Sequence, residues 1–285
     1  MGLKSILKKN KVIVQIVKSY RKYRLLTPKI NLWKTIYLNF KTQKFSDAIK
    51  FPILVYGKLT ISCLTGKISL LGPITCGRFK IGYNSDKFSA QKGGALLNLT
   101  GEIISHGYFS CSIDCLIEVS GILELETCSF FGNMSKIRCH EYIYFGKGSR
   151  IVSECQAFDT NFHYMRNIYT GEVHKRTGKI IVGDYCWIGN RSSLMKGTIL
   201  PNYSIVASNS LCNKNYTVDS PEYPLIGGVP AKIIGKGGYV RIFDIIDEAN
   251  ISKYFSENPD MEVYNGVIGK PNNIDDELKH AFENL

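Results

Sequence analysis

Five histidines are the residues of this chain best suited to proton transfer: His106, His140, His163, His174 and His280. An imidazole has a reference pKa of about 6.5 and so accepts and releases protons near neutral pH. His163 stands out by its surroundings. It lies in Asp159-Thr-Asn-Phe-His163, inside a polar stretch, residues 157–179, that interrupts an otherwise regular pattern. A histidine on such a loop suits general acid–base work. Asp159, four residues earlier, is the carboxylate expected to orient that imidazole, as in a catalytic triad, or else to cap a turn. His174 shares the interruption and is expected to touch substrate or cover the site. His106 and His140 fall in regular segments and His280 in the tail, so these three read as structural or surface residues.

The pattern that residues 157–179 interrupt has a period of six. Val182, Ile188, Leu194, Leu200 and Val206 are aliphatic, and Cys186, Ser192, Thr198, Ser204 and Ser210 hold a small residue in the fifth position of each block. A fixed short period is the signature of a stacked array. Three such hexads make one triangular coil, with the aliphatic residue inward and the small one near the bend. Coils then stabilise each other through nearest-neighbour contacts. The expected fold is an all-β parallel β-helix spanning residues 49–236, with the loop insertion 157–179. Residues 49–130 are strand-rich and glycine-punctuated and read as early, degenerate coils, with a loop at 84–94. The spacing of eight from Ile137 to Phe145 predicts a two-residue bulge at one corner. Residues 225–236 close the solenoid.

Composition limits the rest. The chain has 285 residues, 44% of them hydrophobic, enough for a packed core. The formal charge of +12 comes from residues 1–46, which hold twelve Lys or Arg and no acidic residue. Residues 1–48 read as a basic amphipathic helical arm, with Leu3, Ile6, Leu7, Ile13, Ile16, Val17 and Tyr20 at helical spacings before Pro28. Two readings of this arm stay open: contact with an anionic membrane surface, and packing on the β-helix with a solvated basic face. A nucleic-acid arm is set aside. Residues 237–285 read as a helical tail that caps the last coil, with Val240, Ile242, Ile245, Ile246, Leu278 and Phe282 as its apolar positions. No apolar run is long enough for a signal peptide or a membrane span, so a cytoplasmic protein is expected, at most bound to the inner face of the membrane. Nine cysteines without a Cys-x-x-Cys pair read as reduced, small core residues, and no metal site is expected.

Taken together, the hexad run, the Asp159–His163 segment followed by Ile181-Val-Gly-Asp-Tyr-Cys-Trp187-Ile-Gly189, and the Gly228-Val-Pro-Ala-Lys232 closure resemble the left-handed β-helix (hexapeptide-repeat) acyltransferases. The resemblance is to the maltose, galactoside and polysaccharide O-acetyltransferases and covers roughly residues 120–236. It implies a left-handed coil, a homotrimer with sites between subunits, and acetyl-CoA as co-substrate. His163 takes the place of the family's catalytic base and Asn133 that of its acceptor-site asparagine. Trp187, Gly189, Asn190, Ala207, Ser208, Asn213, Lys214 and Lys232 take the places that border CoA, and Trp187 also faces the acceptor. Where the family usually shows Gly-Ala-Gly, this chain has Ala207-Ser208-Asn209; it has Asn213-Lys214 for Thr-Lys, and Tyr164 where Pro is common after the histidine. The implied activity is O-acetylation of a saccharide, a surface or capsular polysaccharide or its precursor. The alternatives are N-acetylation of an amino sugar and, further off, a non-catalytic β-helix scaffold. A zinc-dependent β-helix carbonic anhydrase would need closely paired histidines in the later coils, which this chain lacks.

Overall fold

The computed structural model describes residues 30–83, 94–243 and 245–264. The expected helix at Leu3–Tyr20, all but the last residue of the 84–94 loop, and the tail positions Leu278, His280 and Phe282 lie outside the described residues. Two units are present, residues 1–238 and residues 239–285. The first is a left-handed parallel β-helix. Its short strands align in three sheets of nine, seven and six strands among the described residues. Every neighbouring pair is parallel except the last, where Leu225–Gly228 turns back antiparallel to Ala231–Ile233.

Inward side chains alternate with outward ones along each strand. Ile188, Leu194, Leu200 and Val206 are at most 1% exposed, as are the small residues Cys186, Ser192, Thr198 and Ser204. The small residues sit at the bends, where their hydroxyls bond carbonyls: Ser192 Oγ to Ala207 O, Ser204 Oγ to Pro201 O, and Thr198 Oγ1 to Cys212 O. Upstream the core widens and is filled by a stack of rings. Phe79, Phe109, Phe131 and Phe145 follow one another at centroid distances of 4.7, 5.0 and 4.9 Å.

The first coils are irregular, as expected, with Ile53 paired to Phe79, and Lys58 to Gly94 on strands whose register shifts after Ile61, but from Leu97 onward the coils are regular. Strand partners there are 20 residues apart: Leu97 with Ile117, Ile117 with Ile137, and Ile137 with Ala157. The two additional residues always fall at the corner between the second and third sheets, as Thr100-Gly101, Ser120-Gly121 and His140-Glu141. The expected bulge between Ile137 and Phe145 is therefore one instance of a feature repeated in successive coils. Gly101 and Gly121 stack so closely that an added Cβ would come within 2.1 Å and 2.3 Å, respectively, of the next coil's carbonyl oxygen.

Six of the nine cysteines are buried, as expected of core residues, whereas Cys63 and Cys128 are half-buried and Cys76 is exposed. Helix α1 (Leu32–Thr42) and the one-turn α2 (Phe45–Ala48) belong to the first unit. They close the open end of the first coil. The second unit contains α3 (Ile245–Glu257). Among the described residues no helix is long and apolar enough to cross a membrane.

Candidate active site

Residues 159–179 leave the coil at the same enlarged corner. Elsewhere at that corner three successive N–H groups bond carbonyls of the next coil. Ser120 N and Gly121 N both bond Cys139 O, and Ile122 N bonds Glu141 O. Thr100, Gly101 and Glu102 repeat this against Val119 O and Gly121 O. In the next coil the chain departs as a loop, and no carbonyl rung follows for His140, Glu141 and Tyr142. The Asp159 carboxylate takes their place. Its Oδ1 accepts from His140 N at 2.8 Å, and its Oδ2 from Glu141 N at 2.7 Å and Tyr142 N at 3.0 Å. The side chain is fully buried. Both Asp159 oxygens thus accept from backbone N–H groups, with no bond to His163 among the described residues; the carboxylate replaces a missing backbone rung, because three unpaired N–H groups would otherwise remain at the corner.

Beyond Asp159 the insertion folds as a hairpin-like arm. Isolated bridges join Thr160 to Thr177 and Arg166 to Val173 in antiparallel sense. This register places His174 opposite residues 163–165. Phe162 anchors the arm's base: its ring packs edge-on against His140 at 5.7 Å and Phe158 at 5.9 Å, with the Arg138 guanidinium 5.2 Å from its centroid. Its backbone is in the left-handed region, φ +63°, a conformation a bulky residue adopts only when packing enforces it. That packing turns the next residue, His163, to solvent. The His163 imidazole is exposed, with no hydrogen bond to another described side chain, and His174 is exposed as well. Lys175 ties the returning strand to the coil through Glu141 at 2.8 Å. Hydrogen bonds from Lys175 and Thr177 hold the Glu141 carboxyl below the usual range.

Beneath Phe162 lies a cleft of about 400 Å³, lined by Leu116, Lys136, Arg138, Gln156, Phe158 and Phe162. Arg138 is paired with Glu118 at 3.2 Å, which also meets His140 Nε2 at 3.0 Å. Sequence reasoning did not single out this cleft. Its signal was the alternation in Lys136-Ile-Arg-Cys139, whose outward residues face Gln156 and Phe158 one 20-residue coil later.

The remaining expected site residues fall into two groups. Trp187 is half-buried on the strand Trp187–Ile188, and Gly189-Asn190 and Ala207-Ser208 stack one coil apart at the corner between the first and second sheets. A Cβ on Gly189 would lie 2.7 Å from Ser208 N, so this edge admits only glycine there. Lys232 is exposed and pairs with Gly227 in the closing hairpin. Asn133 lies in the same corner column, earlier in the stack. It is 8% exposed, and its Oδ1 accepts from the Ser112 hydroxyl. Asn133 is therefore almost wholly buried and bonds across to the corner of the preceding coil. Asn213 and Lys214 are exposed at the other corner, the one from which the His163 arm departs, and Lys214 Nζ sits 5.3 Å from the Tyr216 ring centroid. Within one chain the second sheet, whose strand Ser193–Met195 is three residues long, about 10 Å, separates the two groups. Among the described residues no cluster of three or more His, Cys, Asp or Glu could hold a metal.

No family model matches the chain. A stretch of 57 residues is 37% identical to WbbJ of Escherichia coli (strain K12), named "Putative lipopolysaccharide biosynthesis O-acetyl transferase"; it spans 20% of this chain and 27% of that protein. The chain thus matches about a quarter of that relative's length. Among solved structures, the polySia-specific acetyltransferase NeuO superposes with a TM-score of 0.51 over 76% of this chain and 91% of its own, at 15% identity. AntD, an N-acyltransferase from Bacillus cereus solved with dTDP and 3-hydroxybutyryl-CoA, covers 73% of this chain and 89% of its own at a TM-score of 0.39 and 13% identity. The likeness to NeuO extends over most of the solenoid, and what it shows is the fold: the left-handed β-helix on which these acetyltransferases are built.

Proposed function

We propose that this protein is an acetyl-CoA-dependent O-acetyltransferase acting on a saccharide, a surface or capsular polysaccharide or its precursor. The observation that carries the reading is His163: an exposed imidazole without a hydrogen-bond partner among the described residues, on an arm whose base is pinned by Asp159 and Phe162. The short identity with WbbJ and the fold shared with NeuO support the donor and acceptor classes.

In this reading His163 removes the acceptor hydroxyl proton as the oxygen attacks the thioester carbonyl carbon. The tetrahedral intermediate collapses with loss of the CoA thiolate, which takes the proton from the imidazolium. The products are an acetyl ester and CoA with a free thiol. Both substrates bind together and no acyl-enzyme forms. Lys214 and Lys232 are exposed cations suited to CoA phosphates, and the stacked backbone of Gly189-Asn190 and Ala207-Ser208 gives the pantetheine arm a flat edge. The separation of the two groups of site residues within one chain favours a homotrimer, in which the corner of one subunit completes the His163 arm of its neighbour.

The test is release of free CoA thiol from acetyl-CoA with a panel of neutral, acidic and amino saccharides, parent against His163→Ala. Release that depends on a hydroxyl acceptor and collapses in the variant supports the reading. Release undiminished in His163→Ala removes His163 as the base, and release only with amine acceptors replaces O-acetylation by N-acetylation.

A further inference from the structure

Helix α1 is built inside out. Its inward face is largely polar because it must satisfy the open backbone edge of the first coil. Thr35 Oγ1 accepts from Val55 N at 3.0 Å, Asn39 Oδ1 accepts from Ile53 N at 3.1 Å, and Asn39 Nδ2 donates to Ile53 O at 2.7 Å. Thr35 and Asn39 are buried with Leu38. Just past the helix, Gln43 Nε2 donates to Ile68 O. These bonds leave the aromatic side of the helix facing out. Trp33 is 84% exposed, Tyr37 48%, Phe40 45% and Ile36 41%. Their three- and four-residue spacing makes one continuous stripe. Leu32, Phe45 and Ile49, all more than half exposed, extend it across α2.

A stripe of this size on a soluble surface marks a contact site. Its chemistry selects the occupant. The apolar residues are Trp, Tyr, Phe, Ile and Leu, the set that settles at the level of lipid headgroups. Lys34, Lys41, Lys44 and Lys50 accompany them, against a single acid, Asp47, itself 3.7 Å from Lys50 Nζ. Residues 1–29 add nine Lys or Arg and no acid. A second copy of this face would meet it with like charge; an anionic bilayer would meet it with opposite charge, at about 1 kcal/mol per cation near the surface.

We propose that the outward face of α1 and α2 docks on an anionic lipid bilayer, with Trp33, Tyr37 and Phe40 entering the headgroup layer and the lysines around them meeting lipid phosphate and carboxylate groups. This docking is independent of the activity proposed above.

The full-length protein is sedimented with phosphatidylcholine vesicles, with and without phosphatidylserine, alongside the triple variant Trp33→Ser, Tyr37→Ser, Phe40→Ser. Phe40 also packs on Phe45 and Phe51, so the thermal unfolding midpoint is measured alongside and binding is compared at a temperature where both proteins are folded. The expected result is binding that requires phosphatidylserine, falls with added salt, and weakens at least about tenfold in the triple variant. Equal binding of parent and variant would overturn the proposal by placing the affinity in residues 1–29 alone. Absence of parent binding would overturn it, and a triple variant that changes only its oligomeric state would assign the face to a contact between copies.

Discussion

Replacing Asp159 by Ala separates a structural rung from a catalytic relay. The change leaves three N–H groups, those of His140, Glu141 and Tyr142, without their acceptor. Each unsatisfied buried donor costs about 1–3 kcal/mol. His140, Glu141 and Tyr142 are only half-buried, so partial access of water argues for the low end, about 3 kcal/mol for all three. At about 2–4 °C per kcal/mol for a protein of this size, the midpoint of thermal unfolding should fall by about 6–12 °C. Asp159→Asn should lie between parent and alanine. Its amide oxygen can keep the two bonds made by Oδ2 and turns an NH₂ toward His140 N–H. Circular dichroism at a single wavelength measures the midpoints, and thiol release measures the rates. A midpoint unchanged to within about 2 °C together with a hundredfold loss of rate would refute the argument and make Asp159 the relay that sequence spacing suggested.

Other outcomes follow from the same structure. Phe131→Ala opens the middle of the ring stack, between Phe109 and Phe145, and should cost about 3–5 kcal/mol in urea unfolding. Phe162→Ala removes the ring that packs on His140 and Phe158; it should lower kcat about tenfold or more while shifting the unfolding midpoint far less than Asp159→Ala does. Burial pushes the thiols of Cys186 and Cys212 up, to about 12 and about 11, whereas the Thr65 hydroxyl draws Cys63 down. Cys63 and exposed Cys76 should therefore react first with a disulfide reagent, and Cys186 and Cys212 only at the rate of unfolding. The lowered Glu141 carboxyl adds stability to the arm that is present above the unfolded carboxyl's value, about 4.3, and is lost as pH falls through the folded one. Amide exchange across residues 157–179 should rise below about pH 4 in the parent, and that rise should disappear in Glu141→Gln.

The hexads from Val182 to Val206 were legible because each carries its own inward aliphatic and bend residue, a purely local signal. The upstream coils were harder to read. Their 20-residue period places the extra pair where Thr100-Gly101, Ser120-Gly121 and His140-Glu141 share no single residue type, so only the last was noticed, as an isolated bulge. His163 could be located from its position in the interruption, but the role of Asp159 could not, since its partners are 17–19 residues earlier in sequence and become neighbours only when coils stack. The spacing Asp-x-x-x-His suggested a relay, whereas both Asp159 carboxylate oxygens accept from backbone N–H groups of the corner. Asn133 fared similarly: its partner Ser112 is 21 residues away. Helix α1 ran against the usual assumption that the apolar face is the buried one. An open strand edge at Ile53 and Val55 needs hydrogen-bonding partners, and that requirement turned Thr35 and Asn39 inward and Trp33 outward.

The most direct test of the central claim is the rate of acetyl transfer by His163→Ala with acetyl-CoA affinity measured in parallel on the same preparation. The account predicts a loss of about a hundred- to ten-thousand-fold in kcat, with CoA binding and the unfolding midpoint unchanged. A variant that transfers acetyl groups at the parent's rate would contradict it.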